Sequence, residues 1–163
     1  MSDDLQKDAL RMMAYGFYAI TSKSGEESNI MVANWVTQCS FEPRQIALML
    51  QKTSYSHGLV KSGGVFTVNV FNKADQEAIK PYTKSRAKNP DKMTNAKYTP
   101  APVTGCPVVE GAAAYIECRV VGTLDAGGDH EVIVGEVVGA GVNKPGEAKD
   151  SLTLVDLGWS YAG

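Results

Sequence analysis

The 163-residue chain carries 16 Lys and Arg residues against 18 Asp and Glu residues, for a formal net charge of −2. Hydrophobic residues make up 44% of the chain and charged residues 21%, a composition typical of a globular protein that excludes a disordered one. The acidic balance argues against a nucleic-acid partner, and no apolar run of about 18 residues predicts a membrane span.

A short helix is predicted over residues 2–13. Ser2 is the expected N-cap, and Asp3 and Asp4 follow in the first turn, where the helix dipole favours carboxylates. This stretch is acidic and lacks the apolar core of a secretory signal, so we expect a cytoplasmic protein. The length fits one domain that spans residues 1–163.

Strands and short helices follow along the rest of the chain. The segment "YGFYAITSK" is aromatic and β-branched, and "SGEESN" after it reads as a turn. Further strands are predicted over residues 30–36, 46–51, 65–71, 114–124, 131–140 and 152–157. A short helix is predicted between residues 52 and 64, and another in "ADQEAIKPY", ending near Pro81.

Because most of these strands follow one another directly, we expect antiparallel pairing. The prediction is a mainly β fold with flanking helices, in which about six antiparallel strands close into a small barrel. Neither GxGxxG nor GxxxxGK[ST] occurs, which disfavours a Rossmann domain or a P-loop. Three cysteines without a CxxC motif and two distant histidines predict reduced thiols and no metal site.

Polar side chains interrupt "NIMVANWVTQC", residues 29–39, a segment that otherwise looks buried. Burying an unpaired amide or hydroxyl costs about 1–3 kcal/mol, so these groups need partners. A flat, hydrogen-bonding heterocycle is one such partner. The alternative is a β-bulge in which the protein itself satisfies these polar groups. These residues alone do not distinguish the ligand from the bulge. The candidate ligand-binding residues are Asn34, Trp35, Val36, Thr37 and Cys39.

The segment "LQKTSYSHG", residues 50–58, places Lys52, Ser54 and Ser56 where a strand gives way to a helix. Helix N-termini present free N–H groups and partial positive charge, and hydroxyls add donors, so the junction suits a phosphate monoester. Ordinary capping of the helix by Ser54 is the simpler interpretation of the segment taken alone.

Two further features are candidates for binding. In "GGDHEVIVGEV", residues 127–137, a turn brings His130 to the start of a strand, where an imidazole can orient a ring or cap a hairpin. In residues 80–97, six Lys and Arg side chains face one carboxylate, that of Asp91. This basic segment is either a solvated loop or a binding surface for an anionic cofactor or partner.

The order of these segments resembles the flavin reductase-like, FMN-binding split-barrel family. "NIMVANWVTQCSFEP" is similar to that family's polar strand and acidic-Pro turn, although Ile30 replaces a usual Gly and Trp35 a small residue. "IALMLQKTSYSHGLVKSGGVFTVNVF" resembles its strand, phosphate loop, helix and strand. "GDHEVIVGEVV" and the terminal "GWSYAG" also match, and "ANWVTQCS" is most similar to the reductase-like modules of flavodiiron proteins.

The resemblance implies a six-stranded antiparallel split barrel that binds FMN and forms a homodimer. Asn34, Trp35, Val36 and Thr37 would line the flavin, with Cys39 close by. The phosphate would lie against Lys52, Ser54 and Ser56, and His130 would assist catalysis by orienting the nicotinamide.

The implied activity is NAD(P)H-dependent flavin reduction, with NADH or NADPH as reductant and flavin, ferric iron or a redox protein as acceptor. One alternative is a non-catalytic FMN electron carrier that docks a redox partner through the basic segment. Another is a flavin or haem binder without turnover.

Overall fold

The computed structural model describes residues 3–162. Its first element, α1, spans Asp3–Leu10, so both Asp3 and Asp4 lie in the first turn, whereas the predicted cap Ser2 lies outside the described residues. The helix ends three residues before the predicted boundary. None of the helices within residues 3–162 is long and apolar enough to cross a membrane.

The main sheet contains seven antiparallel strands, one more than predicted, and the predicted mainly β antiparallel class is confirmed. Its strands lie in the order β2-β1-β5-β8-β9-β4-β3, and β6 and β7 form a separate two-stranded sheet. The strands are β1 Tyr18–Ser24, β2 Glu27–Ala33, β3 Val36–Phe41, β4 Arg44–Gln51, β5 Val65–Val70, β6 Tyr98–Pro100, β7 Pro107–Val109, β8 Ala114–Leu124 and β9 His130–Val142.

The sheet curls into a split barrel. Its two edge strands, β2 and β3, are consecutive in the chain and are joined only by Asn34 and Trp35. Ile20 of β1 packs in the same cluster as Leu48 of β4, although three strands separate β1 from β4 in the sheet order. That contact requires a curved sheet with a closed interior, filled by Ile20, Ile46, Leu48, Leu50, Val60, Phe66, Val68, Cys118 and Ile133.

Helix α2, Tyr55–Gly63, lies between β4 and β5 and closes one end of the barrel. Its start is fixed by Ser54, whose side chain accepts a hydrogen bond from the His57 N–H. Its end is fixed by Gly64, whose φ of +70° is a left-handed conformation that glycine adopts without strain. The predicted strand, helix and strand are therefore observed, and the helix N-terminus lies directly after β4.

A second hydrophobic cluster forms outside the barrel, around Phe17, Ile30, Phe71, Tyr82 and Leu154. It anchors three short 3₁₀ helices, Lys73–Ala78, Lys80–Tyr82 and Leu154–Leu157. Because Tyr82 belongs to this cluster, the start of the basic segment is held against the barrel.

Three predicted elements differ in the structure. The strand predicted over residues 30–36 breaks at Asn34 and Trp35. The helix predicted in "ADQEAIKPY" is two 3₁₀ helices, because Pro81 lacks the N–H that a continuous α-helix requires. The prediction of a strand over residues 152–157 is wrong. A reciprocal cap between Thr153 and Asp156 starts a 3₁₀ helix there. Within this range, β-type pairing is limited to one isolated bridge, between Thr153 and Gly16.

Candidate functional site

Two adjoining cavities, of about 600 Å³ and about 280 Å³, form one cleft beside β2 and the end of β4. The residues common to both are Met31, Val32, Gln51, Ser54 and Tyr161. The larger cavity also contains Ser56, and the smaller one contains Asn34, Trp35 and His130. The structure therefore brings five of the predicted site residues into one continuous cleft.

At one end of the cleft, the first turn of α2 presents hydroxyl groups. Ser56 is only 1% exposed, and its Oγ accepts a hydrogen bond of 2.9 Å from Asn29 Nδ2. Because Ser56 acts as the acceptor in this bond, its own hydroxyl proton remains available to a ligand. Ser54 lines the cleft and also caps α2, because its Oγ accepts a hydrogen bond of 3.2 Å from the His57 N–H.

Two buried amide atoms in the cleft lack partners within residues 3–162. They are Oδ1 of Asn29, a residue that is 3% exposed, and Nδ2 of Asn34. Leaving such a group unsatisfied costs about 1–3 kcal/mol. Because both side chains line the cleft, a polar ligand that supplies the missing partners fits this position.

At the other end of the cleft, Trp35 and His130 lie against each other, with ring centroids 4.7 Å apart and an interplanar angle of 61°. Trp35 follows the break after β2, and its carbonyl accepts a hydrogen bond from the Met49 N–H at 3.1 Å, which attaches the break to β4. His130 Nδ1 lies 2.7 Å from Asp129 Oδ1, and this contact holds the pKa of Asp129 below its ordinary value. The arrangement makes an aromatic wall beside an imidazole.

Four predicted site residues line neither cavity. The Lys52 ammonium is 2.6 Å from Asp125 Oδ1, and this bond lowers the pKa of Asp125. Val36, Thr37 and Cys39 run along the edge strand β3, where the Thr37 hydroxyl donates to its neighbour's carbonyl. The chain therefore places these four residues around the cleft rather than in its walls.

Sequence reasoning missed which part of the basic segment faces the cleft. Lys84, Arg86 and Lys92 line the larger cavity. The Arg86 guanidinium lies 4.0 Å above the ring of Tyr55, and Lys92 Nζ donates to the Lys84 carbonyl at 3.1 Å. Lys92 is only 4% exposed, and burial, followed by the nearby Arg86 charge, lowers its pKa. The number of positive charges identified the segment in the sequence. Which three of its cations line the cavity depends on tertiary packing.

The C-terminal residues also contribute to the cleft. Trp159 packs edge-on against Phe17, with ring centroids 5.5 Å apart, and two residues later Tyr161 lines both cavities. The motif "GWSYAG" was part of the family resemblance, but nothing in the sequence indicated that Tyr161 reaches the cleft.

Glu131 fastens α2 to the start of β9. Its two carboxylate oxygens lie 2.6 Å from His57 Nε2 and 2.7 Å from Lys61 Nζ. The bonds from Lys61 and then His57 lower the pKa of Glu131 to about 2, so the carboxylate is ionised at neutral pH. Because Glu131 adjoins His130, this contact fixes the hydroxyl end of the cleft relative to the imidazole end.

The cysteines supply no activated nucleophile to the cleft. Cys106 and Cys118 are buried free thiols, and burial raises the pKa of Cys118 to about 12. Cys39 is an exposed free thiol on β3. Over the described part of the chain, no group of three or more His, Cys, Asp or Glu side chains is placed to hold a metal ion.

A family model described as the flavin reductase like domain matches residues 10–161. The chain is 34% identical to a putative diflavin flavoprotein A 3 of Nostoc sp., over 93% of this chain and 25% of that protein. It is also 34% identical to a ferric-chelate reductase (NAD(P)H) of Archaeoglobus fulgidus, over 91% of this chain and 86% of that one. The chain thus spans about a quarter of the length of the diflavin flavoproteins it matches.

Solved structures agree on the fold. An NADH:FAD oxidoreductase of Streptomyces globisporus aligns with a TM-score of 0.75 at 24% identity, over 86% of this chain and 84% of that one. The flavin reductase HpaC aligns with a TM-score of 0.75 at 21% identity, over 94% of this chain and 99% of that one. At these identities the likeness establishes a shared architecture.

Proposed function

The chain belongs to the flavin reductase-like family, and we propose that it is an FMN-binding, NAD(P)H-dependent flavin reductase. One observation carries the proposal. The cleft joins a hydroxyl-lined helix N-terminus to an aromatic and imidazole end, and unpartnered amide atoms lie between them. Those are the groups that a phosphorylated, hydrogen-bonding heterocycle requires.

At the α2 end, Ser54 and Ser56 would hold the phosphate with their hydroxyls and with the free N–H groups of the first helical turn. Lys52 lies next to this loop without lining the cleft, and its ammonium is paired with the Asp125 carboxylate, so the pair adds little net charge there. The helix dipole and the hydroxyl donors act in the same direction, and both favour a dianion at this end.

At the other end, Asn34 and Trp35 would bind the ring, Asn34 through its unpartnered amide and Trp35 through its aromatic face. When bound, FMN supplies the ring that accepts a hydride from NADH or NADPH and passes electrons to a further acceptor. His130 would orient the nicotinamide or donate a hydrogen bond to it, held in place by Trp35 and Asp129.

We further propose that the chain works as a homodimer. β3 is an edge strand that pairs only with β4 among the described residues, and most of its side chains are exposed. A second copy against this edge would bring Val36, Thr37 and Cys39 into an enclosed site next to the cleft. Sedimentation velocity measures the assembly: a monomer at micromolar concentration would contradict this part of the proposal.

A non-catalytic FMN electron carrier is the second candidate, favoured by the similarity to one module of much longer diflavin flavoproteins. In that case electrons would arrive from a redox protein rather than from a nicotinamide. Ferric iron is a further candidate acceptor, because a relative of similar length is a ferric-chelate reductase.

The absorbance spectrum of the FMN-loaded protein distinguishes the two candidates. Anaerobic NADH or NADPH should bleach the flavin bands within the time of a catalytic turnover if the chain is a reductase. Bands that persist with both nucleotides, but bleach with dithionite, would overturn the reductase and support the carrier. Protein that retains no flavin after incubation with FMN would contradict both.

A further inference from the structure

Lys52 makes its contacts with a turn rather than with the flavin cleft. It directly follows β4, which ends at Gln51, and it lines neither cavity of the cleft. Its ammonium and its backbone N–H both contact the turn of residues 125–129, which joins β8 to β9. Nζ lies 2.6 Å from Asp125 Oδ1, and the N–H donates to the Asp129 carbonyl at 2.9 Å. One residue therefore holds the two ends of the turn.

The turn has few other contacts that could hold it in place. Its residues are all exposed, and the pairing of β8 with β9 ends before the turn begins. The Gly127 N–H donates to Asp125 Oδ1 at 2.8 Å, which is a bond within the turn. Over residues 3–162, the hydrogen bonds and ion pairs from the turn to residues outside the β8–β9 hairpin both involve Lys52. The position of the turn relative to β4 therefore depends on Lys52.

The turn ends in the carboxylate that orients the imidazole of the cleft. Asp129 Oδ1 lies 2.7 Å from His130 Nδ1, and this bond holds the pKa of Asp129 below its ordinary value, so the carboxylate is ionised at neutral pH. Because a carboxylate only accepts hydrogen bonds, Nδ1 carries the proton. In the neutral imidazole, Nε2 is then the unprotonated nitrogen, and it is left for a ligand in the smaller cavity that His130 lines.

Asp129 cannot hold this orientation by itself. Its side chain is 82% exposed, so its direction depends on the backbone that carries it. The Lys52 N–H holds that backbone, because its bond to the Asp129 carbonyl continues the β4–β9 pairing one residue beyond Gln51 and His130. The Lys52 ammonium holds the other end of the turn through Asp125. A side-chain substitution at Lys52 removes the second contact and leaves the first.

We propose that Lys52 is a positioning residue for His130: it holds the turn of residues 125–129 against the end of β4, so that Asp129 keeps the imidazole in one tautomer and one orientation. The inference rests on the proposed reduction by a nicotinamide nucleotide. It assigns Lys52 to the imidazole end of the cleft rather than to the phosphate end. Loss of the ammonium should therefore slow hydride transfer without weakening flavin binding.

The tautomer of His130 is measured on the flavin-free protein, by long-range ¹H–¹⁵N correlation NMR at alkaline pH, where imidazoles are neutral. The chain has two histidines, so His57→Gln identifies the His130 signals. The wild type should carry the proton on Nδ1. Lys52→Met should show a mixture of both tautomers, whereas Lys52→Arg, which can keep the ion pair with Asp125, should show the wild-type pattern. Identical spectra of His130 in Lys52→Met and the wild type would overturn the inference.

A double-mutant cycle shows whether Lys52 acts through His130. Anaerobic stopped-flow reduction of the FMN-loaded protein by NADH or NADPH gives the rate for the wild type, both single variants and the double variant. Lys52→Met should slow hydride transfer by a factor of about three, well below the loss of a general acid or base. In the His130→Ala background, the same substitution should change the rate by less than about 1.5-fold. Equal slowing in both backgrounds would overturn the inference.

Flavin affinity distinguishes this role from phosphate binding. The dissociation constant for FMN should stay within about twofold in Lys52→Met. A roughly ten-fold weaker binding of FMN, with riboflavin unchanged, would assign Lys52 to the phosphate and overturn the inference.

The matched control is Lys144→Met, which removes another partly exposed lysine from an ion pair, 3.1 Å from Asp75, and lines neither cavity of the cleft. It should leave the tautomer, the rate and the flavin affinity unchanged. Bound FMN that neither NADH nor NADPH reduces would overturn the proposed reductase. That result is distinct, because the NMR experiment needs no flavin and tests the position of His130 by itself.

Discussion

Asn29 Nδ2 donates a hydrogen bond of 2.9 Å to Ser56 Oγ, and this bond ties β2 to the first turn of α2. Both side chains are buried, so the bond is shielded from water. It also sets the direction of the Ser56 hydroxyl, whose oxygen accepts the hydrogen bond from Asn29 while its O–H remains free to donate to a ligand. Ser56 is therefore the side chain best prepared to donate to a phosphate.

Replacing Ser56 with alanine tests that role. Loss of one charge-assisted hydrogen bond, about 1.5–3 kcal/mol, should weaken FMN binding roughly ten-fold to a hundred-fold and change riboflavin binding far less. Isothermal titration with both ligands measures the difference. Ser62→Ala is the control, because Ser62 is a hydroxyl at the other end of α2 that bonds to Ser24. Equal losses for FMN and riboflavin would refute the phosphate contact.

The fold could be predicted where the signal was local. Runs of apolar, aromatic and β-branched residues indicated most strands, and Ser54 with the Gly63–Gly64 pair indicated the ends of α2. The break after β2 was visible only as polar residues within an apolar run, because apolar residues continue on both sides of Asn34. The 3₁₀ helix at Leu154–Leu157 was missed because a side-chain cap competed with strand propensity there.

The site was less predictable, because its remaining parts depend on distant contacts. The sequence placed Lys52 in a phosphate loop, but it could not show that Asp125, 73 positions later, holds the ammonium. The sequence identified the basic segment by its charge, but it could not show that Lys92 is buried while Lys88 is exposed. The pairing of Lys52 and the burial of Lys92 depend on packing against elements that are distant in the sequence.

His130→Ala should slow hydride transfer by less than about tenfold, well below the 10²–10⁴-fold typical of a lost general acid or base. The reason is that His130 contacts Trp35 and Asp129 in an arrangement suited to orientation, without a nucleophile to activate. FMN affinity should remain nearly unchanged. Anaerobic stopped-flow reduction by NADH measures the rate, and complete loss of activity in a folded variant would show an essential role.

Lys92→Met should raise the free energy of unfolding of the flavin-free protein by roughly 1–3 kcal/mol at pH 7, because it removes a buried charge without a carboxylate partner. Urea denaturation measures the effect. A variant that is less stable than the wild type at neutral pH would contradict the prediction.

The pH dependence of this difference has a definite sign. The pKa of Lys92 is lowered from its ordinary value of 10.5, so between the folded-state pKa and 10.5 the unfolded chain binds more protons than the folded chain. The cost of burying the charge is therefore fully present at neutral pH and decreases as the pH rises toward 10.5. The stability advantage of Lys92→Met should shrink between pH 7 and pH 10.

Glu131→Gln should remove a pH-dependent part of the stability. The pKa of Glu131 falls from 4.5 to about 2, so its contribution is present above pH 4.5 and is lost as the pH falls from there to about 2. The variant should be less stable at pH 7 and lose less stability on acidification. Thermal unfolding from pH 7 to pH 2 measures both, with Glu136→Gln on the same strand as control. Parallel pH profiles for Glu131→Gln and the wild type would contradict the prediction.

The exposed cations of the basic segment should speed the encounter with an anionic reductant or acceptor. The field of clustered charges raises association rates and is screened within about 8–10 Å at physiological salt, so the second-order rate should fall as ionic strength rises. Lys84 and Arg86 line the cavity, so reversing their charges would change ligand binding as well as the electrostatic attraction that speeds association. The informative variant is Lys88→Glu/Lys97→Glu, which should slow the reaction and flatten its salt dependence while leaving the flavin dissociation constant within a factor of about two. A rate that is independent of salt and survives this reversal would make the exposed part of the segment an ordinary solvated loop.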